Sequence, residues 1–360
     1  MKALIFTQLS LFLAILLAGC ATPNQVTQIT AQPPTAKLAT DNRYQNLYPG
    51  KKEYPLTCET DCYLPHPDVD CKEPAQQCHY VGPQRIPPVD SGFKVQWLGH
   101  ASFAIESPDG QQVLIDPVSG QFDWPVNWAA NLLGTSRNKP KWLSDKTLQK
   151  TKAVLYSHLH YDHFNKADIG RIGNQAQYFV GLNSASHFEK AGYQIKEMDW
   201  FASSQLGDTT IHAVPAHHFN GRIWVPFLYG DNEQSLWTGW LIEHSGKKLY
   251  FAGDTGYSDH FKDIQARYGD IDVCLIPIAS YHHEEHGEWY RYVHTTPEDA
   301  LTAAEELGCK VMIPWGYGNA SWQMGDHSSH SALLRLLNMK ERMLSTVNLL
   351  ILNEGEQVTL

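Results

Sequence analysis

Ser157-His158-Leu159-His160-Tyr161-Asp162-His163 sets three imidazoles and a carboxylate within six residues. Imidazole nitrogens and carboxylate oxygens are the donor set of zinc, and also of iron or manganese. The apolar run Ala153-Val154-Leu155-Tyr156 just before it reads as a buried strand. Along a strand, residues i and i+2 face the same way, so His158 and His160 point together. A turn into a helix after them would bring Asp162 and His163 back to the same volume. A cluster that only decorated a solvated loop would not need a buried strand leading into it.

Other chemistry-bearing residues recur where apolar runs stop. Thr210-Ile211-His212-Ala213-Val214-Pro215-Ala216-His217-His218 ends in imidazoles, with His218 the preferred third nitrogen ligand and His217 the runner-up. Lys248 to Phe251 runs into Ala252-Gly253-Asp254-Thr255-Gly256, where Asp254 on a glycine-rich turn could bridge two cations or merely cap a helix. Asp116 and His100 stand at turns after strand-like runs and are candidates to orient the ligand histidines.

The elements needed to position these groups are legible. Phe93 to Ile105 gives two strands meeting at Gly99-His100, and Gln112 to Asp116 a third. Strands around Tyr178, Ile271 to Ile278 and Lys310 to Trp315 follow, then a helix over Ser328 to Met339 and a terminal strand over Val347 to Leu352. Thr296 as N-cap and Pro297 at the first helical position start a helix through Leu307. Between Gln121 and Trp142 lies an irregular stretch with Phe122, Trp124, Trp128, Leu132, Leu133 and Trp142. It either lines the mouth of a site for an apolar substrate or packs onto the body.

The N-terminal part is different. Lys2 and the apolar run to Ala18 read as a signal peptide, too short for a bilayer span of about 20 residues. Leu17-Ala18-Gly19-Cys20 resembles a bacterial lipobox, which implies cleavage before Cys20, acyl chains such as palmitate on its thiol, and an outer-membrane location. The rival is an ordinary signal peptide with an incidental cysteine. Domain limits follow: 1–19 signal peptide, 20–90 tether and Cys-rich arm, 91–360 catalytic domain. Ala21 to Ala39 reads as a flexible tether. Cys58, Cys62, Cys71 and Cys78 suggest two disulfides in an oxidising compartment, in any of three pairings, with a four-thiolate zinc site as the rival. Cys274 and Cys309 read as core thiols.

Of 360 residues, 42% are hydrophobic, enough for a sizeable core, and the formal net charge is -10 with no basic block, which argues against nucleic acid as a partner.

The order His-x-His-x-Asp-His, then His, then Asp, each at a strand end, resembles the metallo-β-lactamase fold superfamily. Trp97-Leu98-Gly99-His100-Ala101-Ser102, Asp116-Pro117, Pro215-Ala216-His217-His218, Gly253-Asp254-Thr255-Gly256-Tyr257 and His294 with Pro297-Glu298-Asp299-Ala300 further resemble its N-acyl-phosphatidylethanolamine-hydrolysing phospholipase D branch and bacterial lipoprotein relatives. The resemblance spans about Phe93 to Leu334. It implies an α/β (α+β) fold, a four-layer αββα sandwich with the site at the sheet edges. It implies one zinc on His158, His160 and His218, a second on Asp162 and His163, and Asp254 between them. It favours His218 over His217, gives Asp162 a second role in orienting the nucleophile, and places His294 against the phosphate or leaving group. The expected activity is attack of a metal-bound hydroxide on a phosphodiester or phospholipid-like substrate. A lactonase or other acyl-bond hydrolase, and a binding lipoprotein with a decayed site, are the alternatives. One position departs from the branch: where it has a last histidine before Trp-Gly, this chain has Pro314, which cannot coordinate. The second cation is then held more weakly, completed by another histidine such as His327 or His330, or absent.

Overall fold

The computed structural model describes residues 21–72, 77–84, 92–120, 122–133, 143–222, 231–283, 287–319 and 328–360. The signal-peptide and lipobox expectations, together with Trp142 and His327, lie outside them.

In chain order the strands are β1 (Gln25–Ile29), β2 (Val69–Lys72), β3 (Gln77–Tyr80), β4 (Lys94–Gly99), β5 (Ser102–Glu106) and β6 (Gln112–Ile115). They continue as β7 (Thr151–Leu155), β8 (Gln177–Gly181), β9 (Gln194–Met198), β10 (Ser203–Leu206), β11 (Thr209–Val214) and β12 (Gly239–His244). The last are β13 (Lys247–Phe251), β14 (Val273–Pro277), β15 (Val311–Trp315) and β16 (Gln357–Thr359). The helices are α1 (Val126–Leu133), α2 (Asp145–Lys150), α3 (Lys166–Ile172), α4 (His260–Tyr268), α5 (Gly287–Val293), α6 (Pro297–Glu306) and α7 (Ser331–Arg342).

Two sheets pack face to face. One has the order β1-β9-β8-β7-β6-β5-β4-β16, the other β10-β11-β12-β13-β14-β15. The period-2 alternation of side chains divides the first sheet cleanly. Val95, Trp97, Phe103, Ile105, Val113, Ile115 and Leu155 join Ile211, Trp240, Ile242 and Phe251 in the core between the sheets. Ala104, Leu114, Val154 and Tyr178 face the other way and pack with Leu148 of α2 and Ile169 and Ile172 of α3. The second sheet is buried on both faces, its outer face covered by Phe261 and Ile264 of α4, Leu301 and Ala304 of α6, and Leu333 and Leu336 of α7. Helix, sheet, sheet, helix is the αββα arrangement. The start of α6 is fixed locally, because the Thr296 hydroxyl accepts from the Asp299 amide at 3.1 Å and Pro297 follows it.

Three expectations need correcting. Residues 25–29 are not tether: β1 pairs in parallel with β9 at the sheet edge, where Val26, Thr27 and Ile29 supply β-branched side chains. Cys274 and Cys309 are not free core thiols but a disulfide, joining β14 to the turn after α6. Residues 347–352 form only a single parallel bridge, Met312 to Leu349, and the terminal strand is β16, antiparallel to β4. The four N-terminal cysteines pair as Cys58–Cys62 and Cys71–Cys78.

Beyond β1 the arm lies on the body. The amides of Thr35 and Ala36 donate to the Asp199 carboxylate at 2.9 and 2.8 Å, and the Thr57 hydroxyl bonds Glu298.

Candidate metal centre

The cluster sits where β7, β11 and β13 end. After Leu155 the chain leaves the sheet, and residues 161–163 turn back on themselves, with the His163 and Phe164 amides donating to the His160 carbonyl at 3.1 and 2.9 Å. Nε2 of His158 lies 2.8 Å from Nδ1 of His160, and Nε2 of His218 lies 3.3 Å from that same atom. Oδ2 of Asp254 stands 3.2 Å from His163 Nε2, 3.9 Å from His158 Nε2 and 4.0 Å from His218 Nε2. Oδ2 of Asp162 is 3.8 Å from His163 Nε2 and 3.0 Å from His100 Nε2. His294 Nδ1 is 3.8 Å from Asp254. Thus His158, His160, Asp162, His163, His218, Asp254 and His294, all read from the sequence, meet around one volume.

Neighbours set which ring nitrogen faces inward. Nδ1 of His163 is 2.8 Å from the Asp116 carboxylate, Nδ1 of His218 is 3.0 Å from the Val293 carbonyl, and Nδ1 of His158 is 2.9 Å from the Ser157 hydroxyl. With those nitrogens spent, each Nε2 lone pair turns to the centre. Asp116 also accepts from the Ser157 amide at 2.7 Å and hydroxyl at 2.5 Å, so it binds the cluster loop as well as His163. His100 Nε2 meets Asp162, and its ring packs edge-on against that of His163, with centroids 5.2 Å apart. His217 is drawn outward, its ring nitrogens 2.9 and 2.8 Å from the Tyr292 and Tyr48 carbonyls.

Electrostatics agree with a cation site. Burial drives His158 and His218 well below the ordinary histidine range, His160 to about 4, and His294 downward. His163 goes the other way: burial opposes its charge, but Asp254, Asp162 and the Asp116 hydrogen bond outweigh burial and raise it. Burial works against the Asp254 anion too, yet His163 and His294 hold it well below the carboxylate range. Neutral imidazole lone pairs crowded this closely repel one another unless a cation lies between them. The donor chemistry therefore fits one or two divalent cations.

Two glycines let the backbone close around the cluster. A Cβ on Gly253, which has φ of 65°, would meet Ser157 Cβ and the Thr238 carbonyl at 3.1 Å. One on Gly256 would lie 2.0 Å from the Tyr292 carbonyl. His100 and Asp116 hold φ of 49° and 41°, a left-handed backbone that costs a non-glycine residue about 1–3 kcal/mol.

Several positioning residues gave no sequence signal. Asn46, in the arm, accepts from the His218 amide at 2.9 Å and donates to its carbonyl at 3.0 Å. Asn220 accepts from the Leu159 amide at 2.6 Å, and Thr255 Oγ1 accepts from the His217 amide at 2.8 Å. Each acts across a long stretch of chain, where local pattern carries no information.

His100, His160, Asp162, Asp254 and His294 open into a cavity of about 230 Å³, walled by Phe219, Trp289, Tyr290 and Trp315. Of the aromatic stretch before α2, Phe122 is buried, whereas Trp124, Trp128, Leu132 and Leu133 are 62%, 62%, 71% and 74% exposed. This apolar stripe is tied to the cluster, because the Asp123 amide donates to the Tyr161 carbonyl at 2.7 Å and Asp123 pairs with buried Arg222 at 2.5 Å.

The family model for the beta-lactamase superfamily domain matches residues 111–317. An uncharacterized protein of Mycobacterium tuberculosis is 31% identical over 259 residues, covering 70% of this chain and 65% of its own length. N-acyl-phosphatidylethanolamine-hydrolyzing phospholipase D 1 of Caenorhabditis elegans is 28% identical over 249 residues, 63% of this chain and 65% of that one. The chain thus spans about two thirds of these relatives' length. The fold is similar to that of Igni18, a metallo hydrolase from the archaeon Ignicoccus hospitalis, with a TM-score of 0.53, 22% identity, and coverage of 74% of this chain and 98% of that one. With more than half its length matched, the chain belongs to the beta-lactamase superfamily and carries the metallo-β-lactamase fold of its metal-dependent hydrolases.

Proposed function

We propose that the protein is a metal-dependent hydrolase of phosphodiester or phospholipid-like substrates, anchored by lipid on Cys20 to the outer membrane. The observation that carries the hydrolytic reading is the convergence of His158, His160 and His218 with Asp162, His163 and Asp254 around one volume, with His160, Asp162 and Asp254 lining a cavity. The first three would hold one cation, Asp162 and His163 would contribute to a second, and Asp254 stands beside both sets. A cation held there would supply a nucleophile at neutral pH and electrophilic help at the scissile group. The protein's own part is positional. Asp116 and the Val293 carbonyl fix the tautomers of His163 and His218. Asp162, partly exposed to the cavity, accepts a hydrogen bond from the nucleophile and orients it. His294, which also lines the cavity, contacts the phosphate or the leaving group. Phe219, Trp289 and Trp315 keep bulk water away.

The phospholipid-like substrate is supported by the exposed apolar stripe on α1, joined through Asp123 to the cluster loop, and by the resemblance to the phospholipase branch. Zinc is the favoured cation, with iron or manganese compatible with the same donors. The test is hydrolysis of a soluble phosphodiester, a phospholipid in vesicles and a lactone, each with His160→Ala as control. Phosphodiester turnover lost in the variant is expected. Turnover of the lactone alone would move the assignment to acyl bonds. Activity surviving His160→Ala would remove the cluster from the reaction.

A further inference from the structure

Among the described residues four triads of donors have ligand atoms within 4.8 Å of one another; Asp116, His158 and His163 make one, and His218, Asp254 and His294 another. The remaining two share no residue: His158, His160 and His218 form the first, and His100, Asp162 and His163 the second. Asp254 Oδ2 lies between them, 3.2 Å from His163 Nε2 and 4.0 Å from His218 Nε2. The second volume therefore has two carboxylates and one imidazole before His100 is counted. Nothing completes it from β15, where Pro314 carries no donor. His330 belongs to neither group: its Nδ1 is 2.9 Å from the Ser329 hydroxyl and its ring packs on Tyr317.

Resting on the cation-site reading above, we propose that His100 is the fourth protein ligand of the second cation. Its Nε2 is 3.0 Å from Asp162 Oδ2. Ligand atoms 2.0–2.2 Å from one cation lie about 3.0–3.5 Å apart, so this contact has the length of a coordination edge. The backbone is arranged to deliver the ring. The β4–β5 ladder shifts register between Trp97 and Gly99, Gly99 and His100 take φ of 102° and 49°, and the Trp97 indole N–H donates to the His100 carbonyl at 2.9 Å. His100 itself is only 5% exposed. A residue kept in a left-handed turn, buried, with its imidazole aimed at a carboxylate and a second imidazole, is placed as a ligand is placed. The β4–β5 turn thereby supplies what β15 lacks.

The competing role is a hydrogen bond that only orients Asp162. His100→Gln separates the two, since the glutamine amide nitrogen reaches about as far as the imidazole Nε2 and can still donate to Asp162, but it is a poor ligand. Purified full-length protein is titrated with cobalt(II), reading the visible spectrum and bound metal by mass spectrometry. Wild type is expected to take two equivalents. His100→Gln and His100→Ala should keep the first at wild-type affinity and bind the second more than about 100-fold more weakly, beyond the 10–100-fold loss that follows removal of an outer hydrogen-bond partner. Wild-type melting curves for the metal-free variants would exclude misfolding. A second-site loss under about 100-fold in His100→Gln overturns the proposal, as does a wild-type protein that takes one equivalent only. A wild type that takes none sinks the cation-site reading itself.

Discussion

At the scale of single residues, the centre depends on side chains that hold ligands as much as on the ligands. Asn46 engages both backbone groups of His218 and also accepts from the Trp237 indole at 3.0 Å. Asn46→Leu should leave the His218 amide and carbonyl without this partner, at about 1–3 kcal/mol in stability, while the Trp237 indole keeps the Ala216 carbonyl at 3.0 Å. It should also weaken the first cation by about 10–100-fold, as loss of an outer-shell partner does. Thermal melts with and without metal, together with chelator competition, measure both, and unchanged metal affinity would show that the clamp serves folding alone. The ligand types and their strand-end spacing were legible because they are local pattern. Asn46 was not, since its partner lies 172 residues away.

At the scale of elements, β4 to β8, β11 and β13 to β15 could be read from alternation and apolar runs, because each sheet buries at least one regular face, whereas β9, β10 and β12 were not read. β1 was missed because its burial is slight: four of its five residues are exposed, and it is held by backbone pairing to β9, by the Gln28 amide on Glu197 at 2.8 Å and by Ile29 against the core. The disulfide from β14 to the α6 turn was missed because Cys274 lies in a fully buried strand, where a thiol and a half-cystine read alike. Of the two readings of the aromatic stretch before α2, packing onto the body holds for Phe122, whereas Trp124, Trp128 and Leu132 are exposed, with Trp128 and Leu132 four apart on α1, and none of the three lines the cavity. Trp124→Ser with Trp128→Ser is expected to lower binding to phospholipid vesicles several-fold while leaving turnover of a soluble phosphodiester within about twofold, because the stripe is outside the cavity. Sedimentation with vesicles and a soluble-substrate assay provide the two readouts. Equal loss in both would make the stripe part of the catalytic scaffold.

At the scale of the whole molecule, eight of the histidines among the described residues are held below their ordinary range, mostly by burial: His158, His160, His212, His217, His218, His260, His294 and His330. Among those residues His163 alone is raised. The sign follows directly. His160 titrates near 4 when folded, against about 6.5 in an unfolded chain. Between those values the unfolded chain binds a proton that the folded one refuses, so stability falls as pH drops through the window. The raised His163 contributes in the opposite sense, one group against eight. Metal-free protein should therefore lose Tm steadily from about pH 6.5 down to 4, and His160→Gln should flatten part of that slope. A Tm independent of pH across this range would contradict the burial of these rings.

β1 has one more consequence, for geometry at the membrane. With Gln25 already in the sheet, only Ala21, Thr22, Pro23 and Asn24 separate it from Cys20. Four residues fully extended reach about 14 Å. An acylated Cys20 would thus be a short mooring, not a long leash. The enzyme would ride close against the leaflet, free to swivel but unable to drift away, and its choice of substrate would be limited to what that shallow layer presents.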